Sequence, residues 1–308
     1  MKSTIRRTLV AAALVAVAVA GACASVQPAA EVAPTNVEAI EVNSGESVEV
    51  AADSTPDTLE VMTLNLAHGR ANGFHQSLLR RPAILDNLDQ IATVLEHKAP
   101  DVVACQEADG PSFWSGNFDH VAYLAHKAGF GWRVRGEHVT GPGLSYGTAL
   151  MSRRALSEPG VHTFEHAAPT PPKGFSVSTV EVGRADVDVV SVHLDFATEK
   201  IRHNQVRQLV DILEQRDRPV VVMGDLNTEA DGRAFRHLTE QLDLTTHRPG
   251  ADDVATYGSE KRIDWILTSP ELEIVRHEVV DETLSDHRGV FAELRLVTGK
   301  EEGEVVRR

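Results

Sequence analysis

From Leu59 onward, short runs rich in β-branched residues alternate with segments whose apolar residues recur at helical spacing, and few folds accommodate that texture. Residues 59–66, 101–106, 147–152, 176–182, 187–194, 220–223, 263–268, 274–280 and 290–297 read as strands. Residues 81–97, 118–128, 198–215 and 232–242 read as helices. The runs at 101–106 and 220–223 are continuously apolar, as strands covered on both faces are. The block 147–194 holds several strands with no helix between them, which suits antiparallel pairing. Mixed sheets with helices outside predict one layered α/β domain over residues 59–298. The two cysteines, Cys23 and Cys105, supply no disulfide framework, so the fold must rest on its core. A chain of 308 residues, 42% of them hydrophobic, is long enough to build one.

What precedes the domain reads as an address and a spacer. Lys2, Arg6 and Arg7 form a basic start, an apolar run covers 9–20, and small residues continue to Ala24. That is the layout of a bacterial export signal over residues 1–24, with an apolar run too short to span a bilayer comfortably. Cys23 stands where a lipoprotein signal carries its lipidated cysteine. Ala20 replaces the large aliphatic residue usual three positions earlier, so ordinary cleavage after Ala22 or Ala24 is the alternative. Residues 25–58 contain no aromatic, Lys or Arg but include Glu31, Glu38, Glu41, Glu46, Glu49, Asp53 and Asp57. Such a segment cannot bury enough apolar surface to offset its ordering entropy, and it reads as an acidic flexible tether. Residues 299–308 form a charged tail. The formal net charge of −15 leaves no broad basic surface, so nucleic acid is not favoured as a partner. A bound metal can still present positive charge locally on such a protein.

Chemically useful side chains recur at the carboxyl ends of the predicted strands, where open α/β sheets place their sites. Asn65 ends Met62-Thr-Leu-Asn, and Glu107 ends Val103-Ala-Cys-Gln-Glu. His193 ends Val190-Ser-Val-His, and Asp225 and Asn227 close Val220-Val-Val-Met-Gly-Asp-Leu-Asn. Asp264 lies in Arg262-Ile-Asp-Trp, and Ser285-Asp286-His287 precedes the last strand. Each element alone has a bland reading: Asp and Asn satisfy local backbone in turns, and a strand-end Glu is commonly a solvated cap.

Together and in this order the elements resemble the endonuclease/exonuclease/phosphatase superfamily, which includes deoxyribonuclease I, inositol polyphosphate 5-phosphatases and neutral sphingomyelinases. The resemblance spans residues 59–297. It implies a four-layer α/β/β/α sandwich, two packed mixed sheets flanked by helices, with a metal at the strand ends. Glu107 would be the carboxylate ligand, with Asn65 and Asp286 beside it. The implied ion is Mg²⁺, with Mn²⁺ or Ca²⁺ as alternatives, because hard cations take oxygen ligands. Asp225 would polarise the attacking water and Asn227 orient it. His287 would contact the scissile phosphate, Asp264 would fix its tautomer and charge, and His193 would donate to a nonbridging oxygen. Asp225 and His287 both qualify as general base.

Departures narrow the substrate. Ala108-Asp109 follows Glu107 in place of the Thr-Lys of abasic-site repair enzymes, which also tend to carry Tyr at the position of His193. The disulfide pair of secreted deoxyribonucleases is missing. His68 and Arg70 are expected to line the pocket. Trp114, in the aromatic loop 111–118, offers a rim or simply packs on the domain, and Tyr146 and Lys173 offer contacts to phosphate or headgroup. His75, His97, His120 and His126 read as solvated positions with no zinc spacing. The expected protein is an exported, monomeric, metal-dependent phosphoesterase acting on a phosphodiester or phosphate of a lipid headgroup, inositol phosphate or similar small molecule. It would meet membranes only through a Cys23 anchor. A secreted nuclease for extracellular DNA or RNA, and a catalytically inactive surface-binding protein on the same scaffold, are the alternatives.

Overall fold

The computed structural model describes residues 40–41, 56–251 and 254–297. The export signal with Cys23, most of the 25–58 tether and the 299–308 tail lie outside the described residues. Twelve strands and four α-helices follow in chain order: β1 (Ile40–Glu41), β2 (Thr58–Asn65), α1 (Arg81–Lys98), β3 (Val102–Asp109), α2 (His120–Lys127), β4 (Trp132–Gly141), β5 (Leu144–Ser152), β6 (Ser157–Thr163), β7 (Gly174–Val182), β8 (Ala185–His193), α3 (Glu199–Leu213), β9 (Val220–Asp225), α4 (Arg233–Gln241), β10 (Asp264–Thr268), β11 (Leu272–Val279) and β12 (Val290–Leu296). One sheet runs β1-β4-β5-β3-β2-β12-β11 and the other β10-β9-β8-β7-β6. Among the described strands only β2/β3 and β8/β9 pair in parallel. Those two pairs bracket α1 and α3, the crossover helices that parallel pairing requires.

Strand alternation sorts the core into three apolar layers. Met62 and Leu64 of β2 and Val103 and Cys105 of β3 face outward onto Ile84, Leu88 and Ile91 of α1 and Leu124 of α2. Val190, Val222 and Trp265 face the other way, onto Val206 and Leu209 of α3 and Phe235 and Leu238 of α4. Between the sheets, Leu59, Val61, Val102 and Ala104 meet Val187, Val189, Val221 and Ile266. Full burial of such a side chain contributes about 1.5–3 kcal/mol, so this middle layer holds the sandwich shut. The α/β/β/α architecture inferred from the sequence is the one observed.

Three strands lie outside the sequence reading. In β4, Arg133, Arg135 and Glu137 alternate with Val134 and Gly136 and dilute the apolar signal. β6 contains Pro159 and Gly160, which normally argue against a strand, but it sits at a sheet edge where proline is tolerated. Two residues of the expected tether, Ile40 and Glu41, pair with Arg133 and Trp132 as β1. Cys105 is buried and free, and burial pushes its thiol up to about 12. Among the described residues no helix is long and apolar enough to cross a membrane.

Candidate active site

The parallel pairs deliver their last residues to one end of the sandwich. In the first sheet Asn65 lies opposite Gln106, directly before Glu107. In the second, His193 pairs with Asp225 and Asp225 with Asp264, so three site residues stand abreast on β8, β9 and β10. The chain needs Gly224 here, because a Cβ at that position would lie 1.9 Å from the Val192 carbonyl oxygen. The turn that follows is closed by the Asn227 amide N–H, which donates to Asp225 Oδ1 at 2.9 Å. Asn227 itself is left-handed, with φ 50°, a conformation Asn tolerates better than most residues.

Asp225 is the hub. Its Oδ2 accepts from Asn65 Nδ2 at 3.1 Å, linking the two sheets, and lies 3.4 Å from His193 Nε2 and 3.8 Å from His287 Nε2. Burial, together with the neighbouring Asp264 carboxylate, pushes Asp225 up to about 7. Behind His287, both Asp264 oxygens reach Nδ1, at 2.9 Å and 3.1 Å. Burial disfavours a charged imidazole there, but Asp264, Asp225 and Asp286 outweigh it and hold His287 up at about 10. The ring is therefore an imidazolium at neutral pH. Ser285 fixes its position: the hydroxyl donates to the Asn65 carbonyl at 2.7 Å and accepts the His287 N–H at 2.9 Å.

Glu107 sits where β3 breaks register with β5, at φ 48°. Burial alone would raise its carboxyl, yet His68, Lys173, His193 and Arg70 hold it down at about 2. Lys173 is buried, and its Nζ lies 3.1 Å and 3.3 Å from the ring nitrogens of His193. Burial and that lysine push His193 well below the usual imidazole range.

Glu107, His193, Asp225, Asn227 and His287 line one cleft of about 570 Å³, together with Phe196, Arg202, Tyr257 and Lys261. Asn65, Asp264 and Lys173 stand behind these residues and contact them directly. Asp286 is bound to Arg70, with Nη2 to Oδ2 at 2.5 Å. The other expected pocket residues are held by partners beside Glu107. His68 joins Glu107 to Asp109, Trp114 donates its indole N–H to Asp109, and Tyr146 packs against both rings. His120 is not solvated, as its sequence context suggested. It is buried on Phe118, with Nε2 3.0 Å from the Ser115 carbonyl. Arg202 and Tyr257 went unnoticed in the sequence, since nothing local marks them as neighbours of the site, and Asp109 was noted only as a departure after Glu107.

Two groupings of donors present themselves for a cation. Asp225, Asp264 and His287 bring ligand atoms within 4.8 Å of one another. However, an imidazolium has no lone pair to give, and the carboxylates there already neutralise it. By donor chemistry Asn65, Glu107 and Asp286 suit a hard cation better. All offer oxygen, Glu107 is ionised despite its burial, and Asp286 Oδ1 is buried without a hydrogen-bond partner among the described residues.

The model of the Endonuclease/Exonuclease/phosphatase family matches residues 62–287. Among solved structures, an endonuclease/exonuclease/phosphatase from Beutenbergia cavernae is 25% identical with a TM-score of 0.61, covering 78% of this chain and 72% of its own. Sphingomyelinase C from Streptomyces griseocarneus is 19% identical at a TM-score of 0.59, with 77% and 99% covered. The human Nocturnin catalytic domain is 17% identical at 0.59, with 79% and 96% covered. The last two share the fold. No curated protein matches the chain significantly.

Proposed function

Because the chain belongs to the endonuclease/exonuclease/phosphatase family, we propose that it is an exported, divalent-metal-dependent hydrolase of phosphate esters. The observation that carries this reading is the convergence of Glu107, His193, Asp225, Asn227 and His287 on one cleft, with Asp264 locked behind His287. Asn65, Glu107 and Asp286 would hold the cation, Mg²⁺ by the hardness of its ligands, and it would neutralise charge on the phosphate oxygens. Asp225 is the proton acceptor for the attacking water, because its Oδ2 is the carboxylate oxygen that faces both imidazoles across the cleft floor. His287, which the Asp264 carboxylate keeps protonated on both nitrogens, has no lone pair for that role, so it donates to the phosphate, and its fixed charge opposes the charge that builds there. Asn227 orients the water from the adjoining turn. His193, backed by Lys173, donates to a nonbridging oxygen from the opposite wall.

The substrate reading is a small or lipid-borne phosphate ester. Of the cations in the cleft wall, Arg202 is paired with Glu199 at 3.1 Å, and the acidic Glu229 and Asp231 stand in the same lining as Lys261. A polyphosphate backbone would meet more repulsion than attraction there. Exposed Phe196 and Tyr257 line the same opening and suit an apolar flank. Export, and attachment through Cys23, rest on the basic start and apolar run of residues 1–24. Incubation with Mg²⁺ and sphingomyelin, phosphatidylinositol, inositol phosphates or plasmid DNA tests the reading. Release of phosphate or a phosphorylated headgroup supports it. Cleavage of DNA alone would transfer the protein to the nucleases, and no cleavage at all would leave a binding protein.

A further inference from the structure

His68 was expected to face substrate, and its surroundings leave it no such freedom. Its side chain is 12% exposed, with Nδ1 2.6 Å from Asp109 Oδ1 and Nε2 3.3 Å from Glu107 Oε2. Trp114 and Tyr146 enclose the ring at centroid distances of 5.2 Å and 4.9 Å. Asp109 is fully buried, and its other oxygen accepts from Trp114 Nε1 at 2.9 Å and from the Ser115 hydroxyl. An imidazole between two carboxylates must donate from both nitrogens to satisfy both. Hydrogen bonds thus run from Ser115 and Trp114 through Asp109 to His68, whose Nε2 makes an ion-pair contact with one oxygen of Glu107.

The backbone supports the same conclusion. His68 has φ 53° and ψ 25°, Ala67 has φ 46°, and Glu107 has φ 48°. Left-handed non-glycine residues cost on the order of 1–3 kcal/mol each and persist where their surroundings over-determine them. Here left-handed residues stand on both sides of the His68–Glu107 contact. Asn87 pins the loop by donating to the Gly69 carbonyl at 2.9 Å. A loop with no task beyond connection would relax.

We propose that Asp109 and His68 form a brace for Glu107, in which His68 is a positioning residue that fixes the carboxylate's orientation for a divalent cation. The brace rests on the reading of Glu107 as a metal ligand. It holds one carboxylate oxygen and leaves the second for the cation, as partners behind a ligand commonly do, at tenfold to hundredfold in affinity. The Gln106-Glu107-Ala108-Asp109 and Ala67-His68 stretches would then form one unit across 41 residues.

Calorimetric titration of Mn²⁺ into the full chain tests this, with His68→Ala, His68→Gln, Asp109→Asn and the His68→Ala/Asp109→Asn double variant beside wild type. Melting curves in EDTA accompany each. The brace predicts Kd weakened roughly tenfold to a hundredfold in His68→Ala, a smaller loss in Asp109→Asn, and a double variant no worse than His68→Ala. If His68→Ala fails to fold, His68→Gln and Asp109→Asn carry the comparison. A Kd within twofold of wild type, with a raised KM for the phosphate ester, would return His68 to the substrate wall and overturn the brace. So would a lower Tm in EDTA with Kd unchanged. Wild type that takes up no Mn²⁺ would overturn the metal assignment of Glu107, and the brace with it.

Discussion

Asp264→Asn is the most informative single substitution in the second sheet. It keeps the size of the side chain and removes the charge that both oxygens direct at His287 Nδ1, at 2.9 Å and 3.1 Å. Asp264 is fully buried and His287 is 7% exposed, so water cannot replace the lost partner cheaply. Breaking a buried pair of this kind costs about 3–5 kcal/mol. If the pair exists to keep His287 charged beside the phosphate, that energy reappears in the barrier, as a loss of about 10²–10⁴-fold in kcat. His287→Ala should cost at least as much, and the double variant should lose no more than the worse single one, because the two residues act as one unit. Steady-state kinetics on an accepted phosphate ester and thermal melts of all four proteins make the measurement. If Asp264→Asn lowers Tm and leaves kcat intact, Asp264 serves the strand edge alone. If the two losses multiply in the double variant, the inferred coupling is absent.

Other consequences are simpler. His138 is buried between the sheets, donor and acceptor to Thr148 and Thr163, and burial, followed by the Lys173 and His162 charges, pushes it down to about 3. Its folded value is below the unfolded one, so its contribution is present above about pH 6.5 and is lost as pH falls. Between pH 7 and pH 5 it should remove about 2 kcal/mol, and denaturant melts of His138→Gln should lack that part of the slope. A chain beginning at Pro56 keeps the Gly183 N–H bond to the Pro56 carbonyl and all of β2, and of the described pairings loses that of β1. Its kcat should stay within about twofold of the full chain; a folded but inactive product would show that the preceding segment does more than tether. Labelled palmitate should enter wild type and not Cys23→Ala, and equal labelling would remove the lipid anchor.

The parts of the fold visible in the sequence are those set by local pattern. The runs of β2, β3 and β9 are apolar because helices cover one face and the second sheet the other, and each ends in a residue that can only be polar by purpose. Those strand ends, read in order with the family resemblance, made Asn65, Glu107, His193, Asp225, Asn227, Asp264 and His287 legible as one set. β4 and β6 were not, because an edge or half-solvated strand carries Arg, Glu, Pro and Gly that no periodicity flags. Side-chain direction was the deeper obstacle. His68 and Arg70 follow Asn65 and were expected to share its pocket; a left-handed turn sets His68 between Asp109 and Glu107 and Arg70 on Asp286, 216 residues further along the chain, partners that spacing alone does not name. Lys173 earned its notice from a surface-like Pro-Pro-Lys-Gly context, whereas pairing of Gly174 with His193 carries it inside. Such placements depend on register and bulges between distant strands, which spacing along the chain does not encode.

The central claim is that a hard cation held by Glu107 and its neighbours makes this cleft a phosphoesterase. Hydrolysis of bis-p-nitrophenyl phosphate by wild type and Glu107→Ala, each with Mg²⁺, with excess EDTA, and with Mg²⁺ restored, tests it most directly. Wild-type turnover should vanish in EDTA and return with Mg²⁺, and Glu107→Ala should stay at least about a hundredfold below wild type whenever Mg²⁺ is present. Turnover that persists in EDTA, or that survives the loss of Glu107, would contradict the assignment.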